Sequence, residues 1–309
     1  MATKAQFPNE QAADGRFVRQ PDFFRDWVLA DPASRYPAVA GRYHLYVSLA
    51  CPWAHRTIIV RRLKRLESAV GMTILDPVRD ELGWRFTFEP DPINGFTYLS
   101  EAYLATDPMY HRRFTVPVLW DTQTRRIVSN SDDDIMRMFE TEFEALAGDR
   151  RDFFPEPLRA EIDRLNERIF ETVNDGVYRA GFATTQRAYE SAAWRVFESL
   201  DELERRLASQ RYLFGGRPVE TDWRLFVTLI RFDAVYHGHF KCNLRRIADY
   251  PNLYGYLRDL YQIDGVSTTV DFDHIKRHYY YTHEDINPTR IVPIGPQQDL
   301  WSPHGRDRF

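Results

Sequence analysis

The stretch "YVSLACPWAHRTIIVRRLKRLE", residues 46–67, sets a cysteine directly before a proline and then a helix-like run. Before it, "RYHLYVS" alternates apolar and polar residues and reads as a strand. After it, Ile58, Ile59, Leu63 and Leu66 recur at helical spacing. A strand that turns into a helix through Cys-Pro puts the thiol at the N-cap or N1 position of that helix. Pro52 suits the first turn, because the N–H it lacks has no intrahelical partner there. The unpaired N–H groups and the positive end of the helix dipole then face the sulfur. Such a setting lowers a thiol pKa from ~8.5 toward ~3.5–7.5, which makes Cys51 a nucleophile near neutral pH. The bland alternative is a buried structural cysteine. Residue 54 is alanine, so the pattern is C-P-W-A and not C-x-x-C. A mixed disulfide on Cys51 therefore needs an external thiol to resolve it.

The strand-helix pair begins a longer pattern. Residues 1–40 read as an irregular arm, punctuated by Pro8, Pro21, Pro32 and Pro37. "GMTILDPV" reads as a second strand, "RFTVPVLWD" as a third and "TRRIVSNS" as a fourth, with "SDDDIMRMFETEF" a helix that opens with acids. Between the second and third strands the chain is loop-rich with a short helical patch. Pro117 inside "TVPV" is unusual within a sheet but expected of a cis-proline turn. A cis-proline there lets Val116 pair, strand-like, with a peptide ligand; the alternative is an edge-strand proline. Arg61, Arg62, Lys64 and Arg65 read as a solvated helix face.

Beyond residue 150 the pattern is helical. Leu158, Ile162, Leu165, Ile169, Val173 and Val177 step by three or four, and Val196, Leu200, Leu203 and Leu207 mark another helix. "TDWRLFVTLIRFDAVY" is apolar nearly all round, the mark of a buried central helix. "PNLYGYLRDLYQ" is a shorter one. Proline and glycine return near residue 285. The division this suggests is an arm at 1–40, an α/β domain at 41–148, an all-α domain at 149–285 and a tail at 286–309.

The bulk numbers exclude several classes. With 309 residues, 43% hydrophobic and 28% charged, the chain can bury a sizeable core. The net charge is -4 with both signs interleaved, which argues against nucleic acid as a partner. No apolar run approaches the ~18 residues of a bilayer span, and the opening residues lack an apolar signal core. Two cysteines make no disulfide scaffold, so a cytoplasmic setting is expected. His237, His239 and Cys242, or His274 with His278, suggest zinc only weakly, since neither H-E-x-x-H nor C-x-x-C accompanies them. No metal is expected, and no nucleotide-binding glycine motif occurs.

"YVSLACPWAHRT", Gly83-Trp84, "VPVLWD", "NDGVYRAGFATTQ", "TDWRLF", "IRFDAVYHGHFKCNLRRIADYPNL" and "FDHIKRHYY" stand in family order, and together they make the chain resemble the glutathionyl-hydroquinone reductases, the Xi class of glutathione transferases. The resemblance runs from about Arg42 to Pro296. It implies a thioredoxin-like domain followed by an all-helical domain, usually as a homodimer. It implies the reduction of glutathionyl-hydroquinones with glutathione as co-substrate. In that scheme Cys51 takes the glutathionyl group and a second glutathione releases it. Trp84, Arg112 or Arg113, Val116 and Pro117 are the positions the resemblance offers to glutathione. Tyr178 and Tyr279 face the aromatic ring, with Tyr236 a looser candidate. A thiolate that attacks a thioether sulfur must expel carbon, which is feasible only if the charge spreads onto a ring oxygen, so phenol O–H donors at that oxygen suit the chemistry. Without the resemblance, "HYYYTH" would read as packing. Other readings are a further cysteine-type glutathione enzyme (thioltransferase, dehydroascorbate reductase or aryl-ether lyase) and a non-catalytic binding protein on the same fold.

Two departures stand out. Where the family carries Glu-Ser at a helix start, this chain has Ser131-Asp132, followed by Asp133 and Asp134. An acid at the serine position is expected to repel the glutathione carboxylate that belongs there, with Ser131 taking over the hydroxyl role; alternatively the three acids complement the helix dipole. Val219 also replaces the hydroxyl residue of a capping box ahead of Asp222, leaving Thr221 to cap out of register, at an expected cost of about 1 kcal/mol. The first departure is testable. Asp132→Ser is expected to lower the KM for glutathione, and an unchanged KM in steady-state assays would count against a weakened site.

Overall fold

In the computed structural model the described residues are 10–87 and 90–309. They form two compact units. The sheet unit comprises Pro21–Asp152 with Thr268–His278. The helical unit comprises Phe153–Ser267, Tyr279–Phe309 and the described part of Met1–Gln20.

The sheet unit follows the order read from the sequence: β1 (Tyr43–Val47), α1 (Pro52–Leu63), β2 (Val70–Ile74), α2 (Leu99–Thr106), β3 (Val118–Asp121), β4 (Arg126–Ser129) and α3 (Asp132–Arg137). The strands lie in the order β2-β1-β3-β4. β1 pairs parallel with β2 and antiparallel with β3, and β3 pairs antiparallel with β4. This is a thioredoxin-like arrangement. β1 lies between two other strands and is buried along its whole length, polar His44 included, so both its faces are covered. The alternation in its sequence therefore marks a strand but not a wet face.

The basic cluster of α1 departs from the solvated face expected of it. Arg62 and Arg65 are exposed, but Arg61 and Lys64 are buried. Arg61 Nε donates to the Val70 carbonyl at 2.8 Å. Lys64 Nζ donates to Glu144 at 2.7 Å and to the Arg151 carbonyl at 2.9 Å. Buried cations need such partners; the Val70 carbonyl lies nine residues on, across the turn after α1, and those of Lys64 lie 80 and 87 residues away, which periodicity cannot show.

The helical unit contains α4 (Arg159–Ile169), α5 (Gly176–Gly181), α6 (Gln186–Leu207), α7 (Glu220–Arg231) and α8 (Pro251–Gln262). α9 (Phe272–Thr282) completes the helices, and the division between units falls within it. Every residue of α7 is buried, as its sequence implies. Its buried charges are matched locally: Arg224 Nε donates to Glu220 at 2.6 Å, and Asn166 donates to the same carboxylate at 2.9 Å. Thr221 does not cap α7; its buried hydroxyl has no hydrogen-bond partner among the described residues. Val219 is the N-cap residue, and Asp222 accepts its N–H at 2.7 Å. The Val219 side chain packs with Phe154 and Ile162 instead of capping. Burial there offsets the missing hydroxyl.

α4 and α7 each run into one π-helical turn, Phe170–Asn174 and Phe232–Tyr236, closed by bonds from Asp175 N to Phe170 O and from His237 N to Phe232 O, both 2.8 Å. Such wide turns recur near functional sites. No helix among the described residues is long and apolar enough to cross a membrane.

Burial of His44 has a consequence for pH. Its Nε2 lies 2.7 Å from the Thr73 hydroxyl, and burial pulls its pKa from 6.5 to about 4. The fold thus favours the neutral ring. That contribution is fully present above pH 6.5 and is lost as pH falls toward 4, on the order of 3 kcal/mol in full. Urea unfolding of wild type and His44→Gln across this window should show their stability difference shrinking toward acid; parallel curves would contradict a buried neutral ring.

Candidate active site

Cys51 is the N-cap residue of α1, with an extended backbone, and Pro52 is N1. The residue is 9% exposed. The Cys51 backbone joins turn and helix: its N–H donates to Ser48 O at 3.1 Å, and its carbonyl accepts from His55 N at 3.0 Å. The sulfur lies 3.6 Å from the carbonyl oxygen of Val116. The Val116–Pro117 peptide is cis, as expected of this loop. The thiol and the strand-like edge that the sequence offered to a peptide ligand therefore meet. Cys242 is fully buried, and burial pushes its thiol up to about 12, so it is no second nucleophile.

The other positions offered to glutathione lie in the same unit. Gly83, at φ +102°, makes the turn before Trp84 in a backbone region that favours glycine. Trp84 is buried and stacks on His278, with ring centroids 4.9 Å apart and an interplanar angle of 19°. His278 is held by a 2.7 Å contact between Nδ1 and the Pro77 carbonyl. Nothing in the sequence signals this stack, because the two residues lie far apart along the chain. Arg112 is exposed, with its guanidinium 4.9 Å from the Phe23 ring; Arg113 is half-buried.

Ser131 is the N-cap residue of α3, and its Oγ accepts weakly from Asp134 N at 3.4 Å. The acids after it are ion-paired. Arg56 Nη1 lies 2.7 Å from Asp132 and 3.3 Å from Asp133. Arg25 makes two 2.7 Å bonds to Asp134. Arg56 is buried and Arg25 comes from the N-terminal arm. Neither was foreseen, and both offset the negative charge that the sequence places at this helix start. Asn130 fixes the arm beside them, accepting from Phe23 N and Phe24 N at 3.2 and 2.8 Å.

In the helical unit Tyr178, Tyr236 and Tyr279 come together. The Tyr279 hydroxyl lies 2.5 Å from that of Tyr178 and 3.0 Å from that of Tyr236. Tyr236 follows from the π turn after α7, Tyr178 from α5 and Tyr279 from α9. Phe240 stacks on Tyr236 at 5.5 Å. Gly181 permits this packing, since a Cβ there would fall 2.2 Å from the Phe240 ring. Burial pushes the Tyr279 phenol well above the ordinary range, so it stays a neutral O–H group. His239 and His283 stack beside the phenols with ring nitrogens 3.1 Å apart. The packing that "HYYYTH" suggested and the hydroxyl cluster that the resemblance implied are both present.

Comparison with known proteins agrees with this geometry. Residues 50–142 match the family model of the glutathione S-transferase N-terminal domain, and 186–259 that of the C-terminal domain. The chain is 50% identical to glutathionyl-hydroquinone reductase YqjG of Escherichia coli, with 96% of this chain and 94% of the relative covered. It belongs to the glutathione transferase family. A structure of YqjG with glutathione bound superposes with a TM-score of 0.89 at 51% identity, over 93% of this chain and 97% of that one. The Xi glutathione S-transferase of Phanerochaete chrysosporium superposes at 0.91 and 48%, over 95% and 96%. Glutathionyl-hydroquinone reductase PcpF of Sphingobium chlorophenolicum is 47% identical over 94% of this chain and 93% of the relative. Within the family this chain is of the Xi class.

The phenol cluster of this transferase yields a stability prediction. Tyr279 shares its hydroxyl with two neighbours, and Tyr236 is fully buried. Tyr279→Phe should cost about 1–2 kcal/mol, seen as a lower urea midpoint at unchanged slope. Tyr178→Phe removes one contact and should cost less. An unmoved midpoint in Tyr279→Phe would mean that these contacts are not hydrogen bonds of any weight.

Proposed function

We propose that this chain reduces glutathionyl-hydroquinones to hydroquinones, with glutathione as co-substrate and Cys51 as the nucleophile. The observation that carries the reading is the likeness, close to half identical and nearly full-length, to two glutathionyl-hydroquinone reductases. The position of Cys51 at the start of α1 supports the chemistry. Glutathione docks along Val116 and Pro117, with Trp84, Arg113, Ser131 and Asp132 as its further partners, in a glutathione-binding domain at 41–148. Residues 149–285 form the helical domain. Neither cysteine is held in a disulfide among the described residues, which suits a reducing, cytoplasmic setting, and the chain works as a homodimer. No nucleic acid and no membrane takes part.

The reaction balances as a reductive thioether cleavage followed by one thiol–disulfide exchange. The Cys51 thiolate attacks the glutathionyl sulfur on a ketone tautomer of the quinol. A sulfur–sulfur bond forms and the carbon–sulfur bond breaks. The electron pair passes into the ring and onto its oxygen, which is then protonated. The hydroquinone leaves, and Cys51 holds a glutathione mixed disulfide. A second glutathione thiolate attacks that disulfide, giving glutathione disulfide and free Cys51. The quinol carbon is reduced and two glutathione sulfurs are oxidised.

Tyr178 and Tyr279 serve the ring oxygen, with Tyr236 behind them. A phenol held neutral can donate a hydrogen bond to the arriving charge. Either hydroxyl of each pair can donate, so Tyr178 and Tyr279 both stand as donors to that oxygen.

The test is a single turnover. Wild-type protein mixed with glutathionyl-menadiol, without free glutathione, should gain the mass of one glutathione and release menadiol. Cys51→Ser should gain nothing, and added glutathione should restore the wild-type mass. Release of menadiol by Cys51→Ser would overturn the mechanism. An unmodified wild type that leaves the thioether intact would overturn the function and favour a binding protein.

A further inference from the structure

The N-terminal arm places a cation, Arg19, against the Tyr178 ring. Gly15 carries φ +87° and its carbonyl accepts from Thr184 N at 3.0 Å, which seats the arm beside the segment between α5 and α6. Phe17 packs on Phe182, with ring centroids 5.3 Å apart. Arg19 follows. Its Nε donates to the buried Asp175 carboxylate at 2.6 Å, and its guanidinium carbon lies 4.7 Å from the centre of the Tyr178 ring. The other Asp175 oxygen accepts from Arg179 at 2.8 Å. Asp175 stands at the end of the π turn that leads into α5, so the same turn supplies the anchor and, three residues on, the phenol.

We propose that Arg19 is a positioning residue for the quinol step, acting through Tyr178. The inference rests on the function proposed above. A guanidinium over an aromatic face is drawn to the electron density of the ring, and the attraction grows as negative charge develops on the phenol oxygen. When the substrate's ring oxygen takes up the electron pair, Tyr178 donates toward it and acquires part of that charge. Arg19 stabilises this state more than the resting one, which raises the rate rather than the binding of substrate. No bond of Arg19 itself forms or breaks.

The surrounding charges leave Arg19 in that role. Asp175 is shared by two guanidiniums, Arg19 and Arg179. Glu10, from the same arm, interacts with Arg19 and accepts from Gln20 N at 3.2 Å. Arg231 of α7 acts on Tyr279. His239 and His283 lie against Phe240 and Tyr279, and burial holds His239 neutral with its pKa near 4. Among these groups Arg19 is the cation that faces the Tyr178 ring.

The test compares Arg19→Met and Arg19→Lys with wild type in the full chain. The readouts are kcat and KM on glutathionyl-menadiol, and the rate of Cys51 alkylation by iodoacetamide. Arg19→Met should lose about tenfold in kcat, the scale of a partly desolvated cation–π contact, with KM and the alkylation rate within about twofold of wild type. Arg19→Lys, which keeps the charge without the planar fork, should recover part of the loss. An unchanged kcat in Arg19→Met would overturn the inference. So would a Lys variant no better than Met, or a loss confined to KM, since either would make Arg19 a strut for the arm. A wild type that alkylates at Cys51 yet leaves the thioether intact would instead sink the function, and the inference with it.

Discussion

The junction between β1 and α1 governs the chemistry open to this chain. β1 is held between β2 and β3, so its end cannot drift, and Pro52 commits the next residues to a helix. Cys51 has no choice of place: it closes the strand turn and opens the helix. A helix start favours negative charge, and a sulfur there has reason to ionise. The nearby Val116 carbonyl pulls the other way, because only a protonated thiol can donate to it. A ligand whose backbone paired with Val116 would take up that carbonyl and leave the sulfur to the helix. Docking of the co-substrate and activation of the nucleophile would then be one event.

The helical unit faces a different problem, that of burying polar groups, and it pairs the charged ones of α7 while leaving the Thr221 hydroxyl unmatched among the described residues. α7 carries Glu220, Asp222, Arg224 and Arg231 into the interior. Glu220 is satisfied by Arg224 one turn on and by Asn166 of α4. Asp222 accepts from Leu213 N, Val219 N and the Tyr256 hydroxyl, while burial pushes its carboxyl up to about 6. The phenol triad obeys the same rule, since its hydroxyls satisfy one another. A buried unpaired hydroxyl costs about 1–3 kcal/mol. Mutual pairing keeps three of them inside a hydrophobic cluster, and burial holds the Tyr279 phenol neutral.

Local patterns were legible and distant pairings were not. The run of strands and helices followed from residue periodicity, and Cys51, Pro52 and Pro117 each announced a conformation that the chain adopts. Arg61 and Lys64 were misread as surface because their partners, Val70, Glu144 and Arg151, become neighbours only after folding. Val219 looked like a lost cap; its role in the Phe154 and Ile162 cluster depends on tertiary packing. The acids at 132–134 looked like unbalanced charge, because Arg56 and Arg25 lie 76 and 109 residues away from Asp132 and Asp134. The tyrosines carried no signal beyond resemblance: spacing shows Tyr279 on a helix, but not that its hydroxyl meets those of Tyr178 and Tyr236.

The proposed reaction asks two things of the chain, a thiol that takes the glutathionyl group and phenols that serve the leaving oxygen. A lone cysteine cannot resolve its own mixed disulfide, so turnover must draw a second thiol from solution, and product release must precede the arrival of that thiol at the same sulfur. A C-x-x-C pair would short-circuit this sequence by expelling glutathione as soon as it bound. The carbon leaving group imposes the complementary demand. It departs only if its charge reaches an oxygen, and that oxygen needs donors that stay protonated at the pH where the thiol is ionised. Burial meets this condition by raising the Tyr279 phenol far above neutrality, while a helix start is suited to lowering a thiol. Two environments that shift acidities in opposite directions are therefore what a thioether-cleaving thiol chemistry requires of this chain.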